Sequence, residues 1–395
     1  MIEIDKKRQR KPTAAKIRRI KMQYRVFGNT GCEISALGYG CMRFPTTDNT
    51  PGSANIDKEQ AIGLIRHAID NGVNYVDTAY NYHGGQSEIV VGEALKDGYR
   101  DKTYLATKCP VWLVKEPADF DRLLDEQLTK LQTDHIDFYL LHALDWERFE
   151  QTIIPCGLVD KMVEAKKAGK IRYMGFSFHD SLDSFKKMVD YTDLWDFCQI
   201  QYNYINTDYQ AGMEGLHYAA AKGLGVVIME PLLGGRLAVA PAQVAPIIPE
   251  GRPAVQWALD WLWDQKEVGL LLSGMGTMEM VDQNMAYADA SYVGKVPEAE
   301  RPLYAKGKEI FETMAIVPCT KCQYCMPCPF GVDIPAVYDA YNKTASLGLR
   351  KAKPIYAQLQ GKADLCQACG ACEHHCPQHI CSTELMPKIA EVFAE

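Results

Sequence analysis

Residues 58–79 read Lys-Glu-Gln-Ala-Ile-Gly-Leu-Ile-Arg-His-Ala-Ile-Asp-Asn-Gly-Val-Asn-Tyr-Val-Asp-Thr-Ala. Apolar side chains in Lys58–Asn71 recur at the spacing of one helix face, which predicts an amphipathic helix. Gly72 follows where a glycine commonly ends a helix, and the apolar run Tyr75–Ala79 predicts a buried strand. The stretch therefore predicts one helix followed by one strand.

The same alternation of strand and helix continues to about residue 290. Eight short apolar runs predict strands at Ile34–Gly40, Tyr75–Ala79, Tyr104–Lys108, Ile136–His142, Ile171–Phe176, Phe197–Tyr202, Val226–Met229 and Val268–Leu272. Further helices are predicted at Asp119–Leu131, Leu158–Ala168 and Gly212–Lys222. A doubly wound sheet has fewer units and often a Gly-x-Gly-x-x-Gly loop after its first strand, which does not occur in that context here. The sequence therefore predicts an α/β fold with a (β/α)8 TIM barrel, followed by a small helical region.

Cysteines are concentrated at the C-terminal end, where nine of the fourteen lie in the last 77 residues. The first motif contains Cys319, Cys322, Cys325 and Cys328, and the second contains Cys366, Cys369, Cys372 and Cys376. Each motif supplies four thiolates and ends in Cys-Pro, as in bacterial two-cluster ferredoxins. The spacing predicts two [4Fe-4S] clusters, and Cys381 is left over as a cysteine that binds no iron.

Other uses of these cysteines stay open. Paired Cys-x-x-Cys motifs also form zinc sites, although those usually space two pairs rather than three cysteines at steps of three. Disulfides need an oxidising compartment, and no secretory signal points to one; a degenerate motif would merely fill a core. In ferredoxins the fourth cysteine of each motif binds the other motif's cluster. Only two residues separate Cys325 from Cys328, where that pattern has three, so this crossed ligation is also open.

Composition and charge predict a globular cytoplasmic protein that binds neither nucleic acid nor a membrane. The net charge is −7, and no apolar run approaches the roughly 20 residues of a membrane span. Nine basic residues in 1–21 predict a solvated arm, with docking to an acidic surface as the alternative. The predicted domains are this arm, a barrel at 22–294, a linker and helix at 295–318, and a ferredoxin-like domain at 319–395.

Polar residues follow several predicted strands at their carboxyl ends, where the active site of a TIM barrel lies. They are Asp77, Tyr82, Lys108 and His142. The motifs Asp77-Thr78-Ala79-Tyr80-Asn81-Tyr82, Thr107-Lys108 and Ile136-Asp137-x2-Leu140-Leu141-His142 resemble the aldo-keto reductase superfamily, and the resemblance covers about residues 22–290. The tail resembles the iron–sulfur extension of one bacterial and archaeal branch of that superfamily. The resemblance implies an oxidoreductase that reduces a small aldehyde or ketone with NAD(P)H, or oxidises the alcohol.

The four residue types suit this chemistry, because carbonyl reduction needs a hydride at carbon and a proton at oxygen. Tyrosine is a weak acid with a pKa near about 10, and an adjacent ammonium lowers that pKa by favouring the phenolate. Lys108 is expected to supply this charge to Tyr82, the general acid, while Asp77 holds Lys108 in position. His142 is expected to hydrogen-bond or orient the carbonyl. Tyr80 lies as near in sequence, and only the resemblance selects Tyr82.

The resemblance also implies a bound nicotinamide nucleotide, NADP(H) or NAD(H). The implied contact residues are Gly40, Cys41, Met42, Ser177, Gln199, Met229, Leu232, Gly234, Ser273, Gly274, Gly276, Gln283 and Asn284. Many relatives carry Lys and Arg near residues 273–283 to bind the 2′-phosphate of NADP, whereas Gly274 and Met280 stand there in this chain. The choice between NADPH and NADH stays open, with Arg236 as a candidate substitute cation.

The sequence also leaves open what the two predicted clusters do. A nicotinamide transfers two electrons as hydride and a [4Fe-4S] cluster usually passes one, so direct exchange needs a converter such as a flavin. No flavin motif is evident in the sequence. The clusters are therefore expected to be structural, to transfer electrons or to sense redox state. The alternative function is an electron-transfer oxidoreductase, whose clusters link the barrel's redox site to ferredoxin or another partner.

Overall fold

The computed structural model describes residues 21–314 and 317–394. A hairpin of two antiparallel strands, β1 (Tyr24–Val26) and β2 (Glu33–Ser35), begins the described chain. Phe27, in its turn, is fully buried and meets Phe138 edge-on, with ring centroids 5.5 Å apart. The hairpin thus closes the end of the barrel where the strands begin. The predicted basic arm at 1–21 lies outside the described residues, apart from Lys21.

Parallel strands then close into a barrel. They are β3 (Leu37–Gly40), β4 (Tyr75–Asp77), β5 (Tyr104–Cys109), β6 (Ile136–Leu144), β7 (Ile171–Phe178), β8 (Phe197–Gln201), β9 (Gly225–Met229) and β10 (Leu270–Ser273). Each strand pairs with the next in sequence, and β10 pairs with β3 to complete the circle. Every residue of β6 is buried, because helices cover the barrel outside and side chains fill it inside. The predicted TIM barrel is confirmed.

Helices connect these strands and cover the barrel. They are α1 (Lys58–Asp70), α2 (Ser87–Ala94), α3 (Pro117–Leu131), α4 (Trp146–Arg148), α5 (Leu158–Lys167), α6 (Leu182–Asp190), α7 (Gly212–Ala221), α8 (Ala254–Trp263) and α9 (Met278–Asp289). Helix α1 begins where the Asp57 carboxylate accepts a hydrogen bond from the Gln60 N–H. It ends before Gly72, whose φ of 102° suits a glycine.

The predicted strand Ile34–Gly40 is wrong as a single element, because the chain bends in its middle. Its first half belongs to β2 of the hairpin and its second half is β3 of the barrel. The Ser35 hydroxyl donates to the Leu37 carbonyl at 2.7 Å, and the Ala36 N–H donates to Gln23 at 2.8 Å. These bonds satisfy the backbone at the corner, which an apolar run does not reveal.

The C-terminal region, residues 317–394, is helical and follows α10 (Arg301–Met314). Its helices are α11 (Ile334–Leu347), α12 (Leu349–Ala357), α13 (Ala371–His374) and α14 (Ser382–Ala394). They share a hydrophobic core that includes Val337, Tyr338 and Ile389. Within the described parts of the chain, no helix has the length and apolar character to cross a membrane.

The C-terminal region lies across the mouth of the barrel, at the carboxyl ends of the strands. The amide of Gln378 donates to Gln201, the last residue of β8, at 2.8 Å. The guanidinium of Arg148 donates to the His374 carbonyl at 3.0 Å, and Arg43 donates to the Thr320 carbonyl at 3.1 Å. These contacts cross the mouth from several sides, so the barrel end that carries the candidate active site is covered.

Candidate active site and cysteine clusters

The four residues predicted for catalysis meet at the mouth of the barrel. Asp77 is the last residue of β4, Lys108 lies in β5, His142 lies in β6, and Tyr82 follows β4 in a short turn. The Lys108 ammonium donates to Asp77 Oδ1 at 2.6 Å and lies 3.5 Å from the Tyr82 hydroxyl. The Tyr82 and His142 rings meet edge-on, with centroids 6.2 Å apart. Neighbouring parallel strands thus bring together residues that are far apart in sequence.

Burial controls the protonation of this group. Burial raises the pKa of Asp77, and the Lys108 ammonium opposes that rise. Burial also lowers the pKa of His142 well below its ordinary value, with the charges of Lys108 and Arg148 adding to the effect. His142 is therefore a neutral imidazole at ordinary pH, which can donate or accept a hydrogen bond but carries no charge.

The expected lowering of the Tyr82 pKa is not found. Burial raises the pKa of Tyr82 well above its ordinary value, and Tyr324 and Asp77 raise it further. Burial is the largest cause of this rise in pKa. Lys108 does not offset it, and its shortest hydrogen bonds go to Asp77 and to the Thr78 carbonyl, at 2.6 and 2.7 Å. With Tyr324 in this position the phenol remains protonated.

Tyr80 and Tyr82 point in different directions. The Tyr80 hydroxyl donates to the carboxylate of Glu126, a residue of α3, at 3.1 Å. The Lys130 ammonium lies over the Tyr80 ring, 3.9 Å from its centroid. Tyr82 is 7% exposed and faces Lys108. Of these two phenols, Tyr82 is the one placed beside the buried ammonium.

Tyr324 is a site residue that sequence reasoning missed. It stands between Cys322 and Cys325 of the first cysteine motif, and its hydroxyl lies 3.2 Å from His142 Nε2. The same hydroxyl interacts with the neighbouring Tyr82 hydroxyl and raises the pKa of Tyr82. On the other side of His142 lies Trp112, with ring centroids 5.2 Å apart. The only signal in the sequence was an aromatic residue inside a metal-binding motif.

Most of the residues predicted to hold a nucleotide lie in or just after β3 and β7 to β10, the strands that do not carry the catalytic candidates, while Gln283 and Asn284 lie in α9. Ser177 Oγ accepts a hydrogen bond from the Ala143 N–H at 2.7 Å. Gln199 Nε2 lies 3.5 Å from the Met229 sulfur, while its Oε1 is buried without a hydrogen-bond partner among the described residues. An unpaired buried amide oxygen of this kind suits a ligand that donates a hydrogen bond.

Further residues predicted to contact the nucleotide lie near β3 and β10, and several of them already make contacts within the protein. Gly40, Cys41 and Met42 span the end of β3 and the turn after it, and Ser273 ends β10. The Asn284 amide donates to Ser273 Oγ at 3.1 Å, so this pair is used within the fold. Gln283 is exposed and donates to Glu279 at 3.0 Å. Arg43 packs against the loop after β10, with its side chain at Gly274 and its backbone carbonyl at Gly276.

Part of the predicted nucleotide loop after β9 is covered by the C-terminal region. A side-chain carbon on Gly234 would collide with the Thr320 carbonyl, and the Gly234 N–H donates to the Glu230 carboxylate. Leu232 precedes this turn and packs against the barrel core. Arg236, the candidate phosphate cation, has Cys319 and Asp339 as its electrostatic neighbours. Its positive charge therefore faces the first cysteine motif.

The eight motif cysteines form two groups that mix the motifs. A cavity of about 250 Å³ is lined by Cys325, Cys328, Cys366, Cys369 and Cys372. A smaller adjoining cavity is lined by Cys319, Cys322, Cys325, Cys372 and Cys376. The fourth cysteine of each motif thus borders the cavity of the other, which is the arrangement of crossed ligation. Thiols of this number around two adjoining cavities fit iron–sulfur clusters, and Cys381 lines neither cavity.

A third and larger cavity lies between the barrel and the C-terminal region. It has a volume of about 820 Å³ and is lined from the barrel side by Asn81, Trp112, Arg148 and His179. Tyr324 forms part of its wall from the C-terminal region. Asn81 Oδ1 and His179 Nδ1 are buried without hydrogen-bond partners within the described chain. This is a polar compartment of the size that binds small molecules.

Residues 36–252 match the aldo/keto reductase family, and residues 318–381 match the 4Fe-4S dicluster domain. The first match covers more than half of the chain, so the protein belongs to the aldo/keto reductase family and is an oxidoreductase. The second adds a 4Fe-4S dicluster domain to it. Both the predicted family resemblance and the predicted pair of [4Fe-4S] clusters are thereby confirmed.

Relatives and solved structures agree with this assignment. L-galactose dehydrogenase of Arabidopsis thaliana is 27% identical over 290 residues, which are 67% of this chain and 88% of that protein. An aldo-keto reductase of Bacillus halodurans in its holo form has a TM-score of 0.61 at 24% identity, covering 72% of this chain and 96% of that one. An aldo-keto reductase of Klebsiella pneumoniae in complex with NADPH has a TM-score of 0.58 at 23% identity, covering 73% and 95%. At these identities the two structures support the barrel fold.

Proposed function

We propose that this protein reduces an aldehyde or ketone with NAD(P)H, or oxidises the corresponding alcohol, at the site formed by Asp77, Tyr82, Lys108 and His142. The observation that carries the proposal is the buried contact of the Lys108 ammonium with both Asp77 and the Tyr82 hydroxyl. An ammonium beside a phenol, in a barrel mouth that also holds a neutral imidazole, suits proton transfer to a carbonyl oxygen.

Each residue has a separate role in this proposal. Tyr82 gives its proton to the substrate oxygen as the electron pair of the carbonyl bond moves onto that oxygen. Lys108 stabilises the phenolate that remains, and Asp77 keeps Lys108 in place. His142 donates a hydrogen bond to the same oxygen, since a neutral imidazole with its proton on Nε2 is a donor.

A nicotinamide nucleotide, when bound, supplies the hydride. Ser177 and Gln199 are proposed to hold its carboxamide, because the unpaired Gln199 Oε1 accepts the hydrogen bond that an amide offers. Gly40, Met229 and Ser273 are proposed to border the rest of the nucleotide, whereas Gly234 is covered by Thr320 and is left out of this set. The fold shared with the Bacillus halodurans holo form and with the Klebsiella pneumoniae NADPH complex also supports this proposal.

The substrate is proposed to be a small polar carbonyl compound that occupies the cavity of about 820 Å³ beside the site. Its walls carry Asn81, Arg148 and His179, and two of these have unpaired buried polar atoms. Such groups favour a ligand with several hydrogen-bonding groups over a purely apolar one, because an apolar ligand would leave them unpaired.

The proposed clusters use crossed ligation. One is proposed to be held by Cys319, Cys322, Cys325 and Cys376, and the other by Cys328, Cys366, Cys369 and Cys372. The two groups of cysteines around separate cavities support this division. Arg236 lies near Cys319 and offsets the negative charge that a cluster with four thiolate ligands carries.

The test is a comparison of Tyr82→Phe with Tyr80→Phe in anaerobically purified protein, using a panel of polar aldehydes and ketones. Tyr82→Phe is expected to lose about 10²- to 10⁴-fold in turnover while binding NADPH and NADH as before, because only the proton donor is removed. Tyr80→Phe loses a hydroxyl that faces Glu126 and should retain turnover. Unchanged turnover in Tyr82→Phe would defeat the proposal.

A further inference from the structure

Tyr324 reaches from the C-terminal region into the centre of the candidate active site. Its hydroxyl lies 3.2 Å from His142 Nε2 and interacts with the neighbouring Tyr82 hydroxyl. The Tyr324 ring stands edge-on to the His142 ring, with an angle of 89° between their planes and centroids 6.0 Å apart. One phenol oxygen therefore touches both groups that the proposed reaction directs at the substrate.

This oxygen has the hydrogen-bonding position that a carbonyl oxygen requires. Reduction needs the Tyr82 proton and the His142 Nε2 proton to point at one oxygen atom, whose lone pairs accept both. A phenol oxygen also accepts hydrogen bonds, so Tyr324 satisfies the two donors in the same way. Two oxygen atoms cannot share that place, and a substrate carbonyl and Tyr324 exclude one another.

The position of Tyr324 is fixed by the C-terminal region rather than by the barrel. The backbone just before it is held at Thr320, whose carbonyl accepts from Arg43 at 3.1 Å and packs on Gly234. Cys322 and Cys325 flank the tyrosine within the first motif. The placement of the phenol thus depends on how this motif sits on the barrel.

Tyr324 also separates the four catalytic candidates from the large cavity. It lines that cavity together with Trp112 and Asn81, while Tyr82 is only 7% exposed and His142 is 3% exposed. If the Tyr324 side chain turns away, the space it leaves joins the cavity of about 820 Å³ to the Tyr82 hydroxyl. A route for the substrate to the reacting groups therefore runs past this one side chain.

We infer that Tyr324 belongs to the substrate site: its hydroxyl fills the place of the substrate oxygen, and a carbonyl compound binds by displacing it. The inference rests on the proposed function of Tyr82 and His142. It makes the C-terminal region a determinant of substrate affinity, because a substrate has to outcompete the contacts that Tyr324 makes with His142 and Tyr82. Compounds with a strong acceptor oxygen are accordingly favoured over weaker acceptors.

The experiment compares Tyr324→Phe and Tyr324→Ala with Tyr341→Phe, which removes a phenol from α11 of the same region. Each variant is purified anaerobically, and its iron and sulfide contents are measured. The probe is benzamide, whose amide carbonyl accepts hydrogen bonds but is a much weaker hydride acceptor than an aldehyde or ketone. Its affinity is measured by nicotinamide fluorescence in the complex with NADPH or NADH. Kinetics with the best aldehyde or ketone of the panel give kcat and KM separately.

Tyr324→Phe keeps the ring and removes the competing oxygen, so benzamide is expected to bind about tenfold more tightly, with a similar fall in KM. Tyr324→Ala should show the same direction, and Tyr341→Phe should match the unmodified protein. If Tyr324→Ala loses iron, its C-terminal region is disturbed, and only the result with Tyr324→Phe is used to test the inference. Unchanged benzamide affinity and KM in Tyr324→Phe overturn the inference and leave Tyr324 as a packing residue.

A fall in kcat at constant KM and constant benzamide affinity in Tyr324→Phe also overturns the inference, because it marks a proton relay instead. The proposed function is judged separately by Tyr82→Phe. Loss of turnover in Tyr82→Phe with no effect of Tyr324→Phe on binding leaves the function standing and removes the inference. In the reverse case, benzamide binds more tightly to Tyr324→Phe while Tyr82→Phe keeps its turnover. The proposed function is then wrong, but the Tyr324 hydroxyl and the ligand oxygen still compete for one position.

Discussion

The Nζ atom of Lys108 lies 2.6 Å from Oδ1 of Asp77, and both side chains are almost fully buried. Lys108 donates a second hydrogen bond to the Thr78 carbonyl at 2.7 Å. Asp77 Oδ2 has no hydrogen-bond partner in the described part of the protein. When an ion pair is buried in this way, the folded state is stable only while both charges are present, because each one compensates for the desolvation of the other.

Removing one charge of this pair should destabilise the protein strongly. Lys108→Met leaves a buried carboxylate, and Asp77→Asn leaves a buried ammonium, so each is expected to cost about 3–5 kcal/mol of unfolding free energy. The double variant removes both charges and should recover most of that loss. Denaturant unfolding followed by tryptophan fluorescence measures the three values.

All three of these variants should lose carbonyl reduction. Lys108→Met and the double variant remove the cation beside Tyr82, and Asp77→Asn removes the carboxylate that holds this cation in place. This separates the structural role of the pair from its role in the reaction. If the two single losses in stability simply add in the double variant, Asp77 and Lys108 do not interact as the 2.6 Å contact implies.

Stability should fall in mild acid because of His179. Burial lowers the pKa of this imidazole to about 3, whereas the unfolded chain has the ordinary value near about 6.5. The unfolded state therefore binds the proton first, so the contribution of His179 is complete above pH 6.5 and is lost as the pH falls from there towards 3. The expected slope is about 1.4 kcal/mol for each pH unit.

Thermal unfolding at pH 7.5 and pH 5.5 checks this slope. His179→Asn should be less sensitive to the change in pH than the unmodified protein. His67→Asn is the matched control, since His67 is a partly exposed histidine paired with Asp282 at 2.7 Å. Equal pH sensitivity of His179→Asn and the unmodified protein would contradict the assignment.

Crossed ligation predicts which pairs of cysteine substitutions act on one cluster. Cys328 and Cys369 line the same cavity, so Cys328→Ser with Cys369→Ser should remove one cluster and leave about half of the iron. The double variant Cys319→Ser with Cys328→Ser removes one proposed ligand from each cluster and should lose nearly all of the iron. Cys381→Ser should leave the iron content unchanged.

Iron and sulfide analysis with electron paramagnetic resonance of the reduced protein measures these contents. Ligation within each motif predicts the reverse result for the two double variants. Half of the iron remaining in Cys319→Ser with Cys328→Ser, and none in Cys328→Ser with Cys369→Ser, would therefore rule out crossed ligation.

Alanine substitutions at two adjacent glycines distinguish the effect of backbone strain from the effect of losing a contact with the C-terminal region. Gly234 and Gly235 both have positive φ, 63° and 90°, so alanine costs about 1–2 kcal/mol at either. Only at Gly234 would the new carbon collide with Thr320. Gly234→Ala should therefore also shift the first cysteine motif, whereas Gly235→Ala should not.

Hydrogen exchange of peptides covering residues 317–330 detects this shift. Gly234→Ala should exchange faster there than the unmodified protein, and Gly235→Ala should not differ from it. Equal exchange in the two variants would mean that the contact at Thr320 does not hold the motif in place.

Much of the architecture follows from local patterns. Helix α1 has the bounds that its apolar period and Gly72 predict to within one residue, because the side chains that face the core repeat with the helix itself. The cysteine spacings predict clusters for a similar reason, since the ligands of each motif are close in the chain. In both cases the information lies within a few neighbouring residues.

The chain by itself determined the barrel, the family and the iron–sulfur motifs. Only the tertiary structure decided that Tyr324 meets His142 across 182 positions, that Arg236 faces Cys319, and that the Tyr82 pKa rises rather than falls. The physical reason is that hydrogen bonding, charge and burial act through space. A docked region changes all three at the barrel mouth without leaving a periodic pattern in the sequence.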